Sequence, residues 1–133
     1  RGIDVENHVT MIPWLDAAHW RGLLARATAL LDTIGFSGFN TAAQAIVCGV
    51  PVVAWEGKFL RGRLASGLLR RIGLQDLIAS DVESYVALVA TLCNNRQLRD
   101  EVAARVSAGK AMAFGDLEPV RNFERFLIGA MNR

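Results

Sequence analysis

The sequence predicts a three-layer α/β fold in which a parallel sheet is flanked by helices. Two observations lead to this prediction. Short apolar runs alternate with longer stretches of helical periodicity, and the second run is followed by a loop rich in glycine and polar residues. Near-continuous apolar strands are typical of parallel sheets with both faces covered, and strand–helix alternation is typical of the α/β class. Such sheets bind ligands at the carboxyl ends of their strands.

Three strands are predicted from apolar runs bounded by turn signals. The first covers about residues 9–12 and is closed by Pro13, the second covers 29–34, and the third covers 51–55. The stretch LQDLIA, at 74–79, is predicted to be a further brief extended piece.

Six helices are predicted from apolar residues three and four positions apart and from capping residues. Asp16 caps the first helix, and a glycine follows both the second and the third. Ser80 or Asp81 begins the fourth helix, with Glu83 forming a capping box with Ser80. The predicted helices cover about residues 16–28, 40–48, 60–72, 82–95, 96–109 and 119–131.

The composition predicts a single folded domain over residues 1–133. Hydrophobic residues make up 52% and charged residues 21%, and the net charge of +2 argues against a nucleic-acid-binding protein. No apolar run is long enough to span a bilayer. Cys48 and Cys93 show no metal-ligand spacing, so we expect free thiols and a cytoplasmic location. Because the chain begins with Arg1 rather than Met, we expect it to be part of a longer protein.

The loop IGFSGFNT follows the second predicted strand and leads into a helix. Gly35 and Gly38 let the backbone turn and come close to a ligand. The helix start offers free N–H groups and a partial positive charge, and Asn40 and Thr41 add uncharged donors. From these residues alone, a diphosphate cradle and a plain turn with Ser37 or Asn40 capping the helix are equally acceptable interpretations.

Five segments in a fixed order resemble the carboxyl-terminal half of O-GlcNAc transferase-like enzymes, including the SPINDLY type. The segments are LDT at 31–33, GFNT at 38–41, GVPVV at 49–53, GRLASGLL at 62–69 and GLQDLIA at 73–79. The resemblance covers about residues 8–130. It implies a Rossmann-like half of a GT-B fold, from an inverting glycosyltransferase that uses a UDP-sugar and needs neither a metal nor another cofactor.

The resemblance also implies a nucleotide-sugar site. Gln44 would bind the ribose hydroxyls in place of the family's acidic residue, and Phe39 stands where the family has a histidine. A flat side chain in the loop 13–20, either His19 or Trp20, would stack on uracil, although helical spacing also allows Trp20 to be a core residue. The residues expected to bind the nucleotide-sugar are Leu15, His19, Trp20, Ser37, Gly38, Phe39, Asn40, Thr41 and Gln44.

Five basic residues follow the third strand, and a solvated helix face is the favoured interpretation. They are Lys58, Arg61, Arg63, Arg70 and Arg71. The functional alternative is that Arg63 or Lys58 faces the donor or acceptor side of a cleft. Asp32, at a strand end, is expected to order the neighbouring turn.

The resemblance implies partners that lie outside this chain. They are a nucleotide-sugar donor, a protein or glycan acceptor, and an upstream GT-B half with TPR repeats as one option. No catalytic residue is expected within this chain, which is predicted to be inactive alone. Two alternatives stay open: a non-catalytic nucleotide-binding α/β domain, and a GT-B enzyme that uses another nucleotide-sugar to build cell-surface glycans.

Overall fold

The computed structural model describes residues 4–131 and confirms the predicted α/β class, with a parallel sheet flanked by helices. The strands are β1 (Leu30–Leu31), β2 (Val52–Trp55) and β3 (Ile78–Ala79), in the order β1-β2-β3. Leu30 pairs with Val52 and Ala54 pairs with Ile78, both in parallel register. The α-helices are α1 (Val5–His8), α2 (Ala17–Leu24), α3 (Phe39–Val47), α4 (Leu64–Arg71), α5 (Val82–Asn94), α6 (Arg96–Ala113) and α7 (Glu118–Met131).

The central strand β2 forms the middle of the core. Val52, Val53 and Ala54 are fully buried, and α3, α4 and α5 contact this strand. Ile46 of α3 and Leu69 of α4 are also fully buried within the same hydrophobic cluster. Since successive side chains of a strand point to opposite faces, complete burial of three in a row requires cover on both sides of β2.

Glycines end α3 and α4, as predicted. Gly49 and Gly73 both have a φ of +74°, in the left-handed region that residues with a Cβ rarely adopt. The next N–H group, from Val50 or Leu74, donates back across the helix end over 2.9 Å. This bond pattern is the Schellman motif, which satisfies carbonyls that would otherwise lack a partner.

The predicted strand over 9–12 is wrong, because these residues have no regular secondary structure. Val9, Met11 and Ile12 are 49%, 87% and 48% exposed. Within residues 4–131, β1 pairs only with β2, so no further strand lies on its free edge. An apolar run becomes a strand only when its backbone groups find partners in a neighbouring strand.

Several boundaries also differ from the prediction. The predicted helix over 16–28 ends at Leu24, and the predicted strand over 29–34 shrinks to two residues before its loop. The helix over 60–72 begins instead at Leu64, after a 3₁₀ turn. The capping box of α5 joins Asp81 and Ser84 rather than Ser80 and Glu83.

The last helix, α7, packs few of its side chains. Apolar residues such as Phe123, Phe126 and Ile128 are each at least 60% exposed, and α7 has no buried residue. Across the described residues, no helix is long and apolar enough to cross a membrane. Cys48 and Cys93 are free thiols, as expected.

We predict that Gly109→Ala destabilises the domain by about 1–3 kcal/mol, because small-to-large changes in a packed core cost this much. A Cβ on Gly109 would lie 2.9 Å from both the backbone oxygen and the Cβ of Ile72. Urea unfolding measures the change. The matched control is Gly67→Ala, whose Cβ would meet no atom within 4 Å and which should stabilise α4 by about 0.5–1 kcal/mol. Equal effects of the two substitutions would contradict the close approach of α6 to Ile72.

Candidate functional site

The candidate site begins at Asp32, which follows β1 and is 6% exposed. Its carboxylate accepts hydrogen bonds from Ser37 Oγ at 2.7 Å and from the Gly38 N–H at 2.8 Å. The turn between them is therefore closed by a buried carboxylate, which confirms that Asp32 orders this loop.

Tyr85 of α5 also contacts Asp32. Its hydroxyl donates to the Asp32 carbonyl oxygen over 2.9 Å. Burial, with a smaller effect from the Asp32 charge, raises the pKa of the Tyr85 phenol above its usual value. The phenol is therefore a neutral donor at physiological pH. The sequence offered no signal for this contact, since the two residues lie 53 positions apart.

Ser37 is a structural part of the loop and is almost fully buried. Its Oγ donates to Asp32 and accepts a hydrogen bond from the Ala65 N–H at 2.8 Å, while its own N–H donates to the Arg61 carbonyl. The Ser37 side chain thus ties the loop to the start of α4. Its hydroxyl has no free hydrogen left for a ligand.

The start of α3 is open. Gly38 is the N-cap and makes no side-chain cap, and the first intrahelical bond runs from the Ala42 N–H to the Gly38 carbonyl. The N–H groups of Phe39, Asn40 and Thr41 precede this bond and so have no intrahelical acceptor. Neither Ser37 nor Asn40 caps the helix, so that part of the plain interpretation is wrong.

Thr41 and Gly38 lie against each other at this helix start. The Thr41 hydroxyl lies 3.4 Å from the Gly38 carbonyl oxygen, a long and weak hydrogen bond. A Cβ added to Gly38 would come within 2.4 Å of the Thr41 Oγ1. The absence of a side chain at Gly38 therefore leaves this hydroxyl in place at the first turn of α3.

Two cavities meet at Trp20. One, of about 300 Å³, lies between α2 and α3 and is lined in part by Asn40 and Gln44. The other, of about 420 Å³, is formed by residues 10–15 with Trp20 and Leu23. Trp20 is half-buried and packs against the hydrophobic core, so the core interpretation and the cavity-lining interpretation both describe it.

Leu15 and His19, the other two residues predicted to contact the base, lie in different surroundings. Leu15 lines the cavity of residues 10–15, whereas His19 lines neither cavity that includes Trp20. The His19 ring lies 2.9 Å from the carboxylate of Asp16, the α2 cap, and its side chain is 75% exposed. Hydrogen bonds from the backbone and ring of His19 lower the pKa of the Asp16 carboxyl. Of the two flat side chains considered for base stacking, Trp20 borders these two cavities and His19 does not.

A third cavity, of about 500 Å³, lies at the carboxyl ends of β2 and β3. Its lining includes Lys58, Arg63, Arg70, Ser80 and Glu56. The carboxylate of Glu56 contacts Arg63 through one oxygen and forms an ion pair with Arg70 through the other, without an aligned hydrogen bond at the second oxygen. Burial would raise the pKa of Glu56, but the two guanidinium groups outweigh burial and lower it.

Glu56 is the residue in this cavity that the sequence interpretation missed. The signal was present, because this carboxyl directly follows β2 and precedes five basic residues. All five basic residues are exposed, as the solvated-face interpretation predicts. Some of them also make specific contacts: Arg71 pairs with Asp116, and the Arg61 guanidinium lies 5.0 Å from the Phe59 ring centroid.

The fold is of the α/β class, in which ligands commonly bind where parallel strands end beside a helix N-terminus and a cavity. The sequence model described as Glycosyl transferase family 41 matches residues 16–120. The chain therefore belongs to this family, which confirms the resemblance found in the sequence.

Curated relatives and a solved structure agree with this assignment. A protein named as the probable UDP-N-acetylglucosamine–peptide N-acetylglucosaminyltransferase SPINDLY of Arabidopsis thaliana is 29% identical over 99 residues, covering 74% of this chain and 10% of that protein. Its namesake in Oryza sativa subsp. japonica is 30% identical over 75% of this chain and 11% of that protein. A mutant O-GlcNAc transferase of Thermobaculum terrenum matches with a TM-score of 0.71 and 27% identity, over 77% of this chain and 20% of that one. The chain thus spans about a tenth of the length of these curated relatives.

We predict that Ser37→Ala destabilises the domain by about 1–3 kcal/mol, because the buried Ala65 N–H would lose its acceptor. Thermal or urea unfolding measures the loss. Ser107→Ala, at an exposed position on α6, is the matched control and should change stability by less than about 0.5 kcal/mol. A Ser37→Ala protein as stable as the control would show that the loop does not depend on this hydroxyl.

We also predict that Glu56→Gln costs about 1.5–3 kcal/mol at neutral pH, since it removes the charge between Arg63 and Arg70. The pKa of Glu56 is lowered in the folded state, so its contribution is present above the unfolded pKa and is lost as pH falls through the folded pKa. The stability difference between the two proteins should therefore shrink in acid. Asp100→Asn, in the exposed Arg96–Asp100 pair, should cost less than about 1 kcal/mol. A difference that is constant from neutral to acid pH would contradict this account.

Proposed function

We propose that this chain is the donor-nucleotide-binding part of an inverting, metal-independent glycosyltransferase that uses a UDP-sugar. The observation that carries the proposal is the open start of α3 beside the end of β1, in a chain of Glycosyl transferase family 41. Helix N-termini bind phosphate through free N–H groups and the helix dipole. The names of the curated relatives, which include a UDP-sugar, support the choice of donor.

Each residue at the helix start has a proposed role. The N–H groups of Phe39, Asn40 and Thr41 bind the diphosphate, aided by the Asn40 and Thr41 side chains. Ser37 and Gly38 hold and shape the loop that presents these groups. Gln44, one turn further along α3, reaches the ribose.

In the proposal, the base and the acceptor lie on opposite sides of the start of α3. We place uracil in the cavity formed by residues 10–15, against Trp20, with Leu15 as a further contact. Arg63 and Lys58 line the cavity at the ends of β2 and β3, where we place the sugar or acceptor side. The acceptor is a protein or a glycan.

The proposed reaction is direct displacement at the anomeric carbon, with UDP as the leaving group. Negative charge increases on the diphosphate as the bond to the sugar breaks. Donors that are already oriented by the fold stabilise such charge without reorganising during the reaction. In this chain the donors are backbone N–H groups and uncharged side chains, held in place by Asp32 and Ser37.

The rest of the active site belongs to other parts of the protein in this proposal. The chain covers about a tenth of its curated relatives, so we place the acceptor-binding residues, the upstream GT-B half and any TPR repeats outside it. The two free thiols are compatible with a reducing compartment, and we propose the cytoplasm.

A second candidate is a domain that binds a different nucleotide or has lost catalysis. Phe39 and Gln44 favour it, because they depart from the histidine and the acidic residue implied by the resemblance. Thermal unfolding with UDP, GDP, ADP and NAD side by side separates the candidates, since a ligand that binds the native state raises its stability. Stabilisation by GDP but not UDP would replace the proposed donor.

We predict that Thr41→Val weakens UDP binding about tenfold or more, because a hydrogen bond to an ionised phosphate is worth about 1.5–3 kcal/mol. Valine keeps the branched shape but removes the hydroxyl. Uridine has no phosphate, so its affinity should be unchanged. Isothermal titration of both ligands on the full-length protein gives the two affinities.

The matched control for this experiment is Thr91→Val, an exposed position on α5 whose hydroxyl donates to the Ala87 carbonyl. It should alter neither affinity. Equal losses of UDP and uridine binding in Thr41→Val would show that Thr41 shapes the site without contacting phosphate.

A further inference from the structure

The contact between Trp20 and Gln44 joins α2 to α3 across 24 residues of sequence. The indole Nε1–H donates to the Gln44 amide oxygen over 2.6 Å. An indole N–H is a donor only, so its partner atom must be the carbonyl oxygen of the amide rather than its nitrogen. The chemistry of Trp20 therefore sets which way the Gln44 amide faces.

The two partners differ in how firmly they are held. Trp20 is half-buried and packs against the hydrophobic core, whereas Gln44 is exposed on α3. Ordering a glutamine side chain that is free to rotate costs free energy, because the side chain loses conformational entropy. The hydrogen bond orders Gln44 before a ligand arrives. Part of the free-energy cost of ordering this side chain is therefore absent from the free energy of binding.

From these observations we propose that Trp20 is a positioning residue that orients Gln44 toward the ribose of the bound nucleotide. The proposal rests on the proposed function, since it needs a nucleotide at the start of α3. With the amide oxygen engaged by Trp20, the amide NH₂ group faces away from the indole and donates to a ribose hydroxyl oxygen. Asn40 and Gln44 line the same cavity, so the diphosphate and ribose contacts are neighbours on one side of α3.

This role differs from stacking on the base. Stacking needs the flat face of the ring, which phenylalanine also provides, whereas positioning needs the indole N–H, which phenylalanine lacks. Trp20→Phe therefore distinguishes the two roles while retaining an aromatic ring in the core. Trp20→Ala removes both and is informative only if the protein stays folded.

The experiment is a double-mutant cycle on the full-length protein, with isothermal titration of UDP and of 2′-deoxy-UDP. The variants are Trp20→Phe, Gln44→Ala and the double variant, with melting temperatures recorded for each. We expect Trp20→Phe to weaken UDP binding about three- to tenfold, the range for one neutral hydrogen bond. The double variant should bind no worse than Gln44→Ala, because without Gln44 the indole N–H has nothing to position.

The deoxy ligand provides a second readout. If Gln44 contacts the 2′-hydroxyl, the loss caused by Trp20→Phe should be smaller for 2′-deoxy-UDP than for UDP. Gln97→Ala, an exposed glutamine on α6 that pairs with Glu101, is the control and should leave both affinities unchanged.

Two results would overturn the proposal. Wild-type affinity in Trp20→Phe, with a loss only in Trp20→Ala, would assign Trp20 to stacking. Losses that multiply in the double variant would show that the two residues act independently. Equal losses for UDP and 2′-deoxy-UDP in Trp20→Phe would support the proposal with the 3′-hydroxyl, rather than the 2′-hydroxyl, as the group that Gln44 contacts. A wild-type protein that binds neither UDP nor GDP would instead refute the proposed function, and this inference would fall with it.

Discussion

The buried carboxylate of Asp32 is the constraint on which the candidate site depends. It fixes the turn after β1 by accepting the Ser37 hydroxyl and the Gly38 N–H. Ser37 in turn accepts from Ala65 at the start of α4, and Tyr85 of α5 donates to the Asp32 carbonyl. Because buried polar groups are costly without partners, these bonds reinforce one another. The position of the α3 N-terminus is thus set by its neighbours rather than by a side-chain cap of its own.

Positive charge at the carboxyl edge of the sheet takes two forms. The start of α3 offers only backbone dipoles and uncharged side chains, whereas the neighbouring cavity is lined by Lys58, Arg63 and Arg70. Glu56 neutralises part of that charge and holds two guanidinium groups in fixed positions. The uncharged donors therefore lie beside the end of β1, and the full charges lie beside the ends of β2 and β3. This division suits the proposed metal-independent displacement, in which preorganised donors stabilise the leaving group.

The sequence by itself determined the elements whose signals are local. The buried run that forms β2 and the positive-φ glycines at 49 and 73 are readable in short windows, because apolar burial and helix termination depend on adjacent residues. The ordered segments that carry the family resemblance are local too. The role of Asp32 also followed from its place at a strand end, within six residues of both of its carboxylate partners.

Only the tertiary structure decided what depends on residues far apart in the chain. The apolar run at 9–12 looks like a strand, yet no neighbouring strand within residues 4–131 pairs with it. Asp32 and Tyr85 meet across 53 residues, and Trp20 meets Gln44 across 24. The periodicity of apolar residues along a segment shows which side chains face inward. It does not show which distant group will form hydrogen bonds with a given polar atom. The sequence therefore determined the class of fold and the place of the candidate site, while packing between helices decided which side chains shape it.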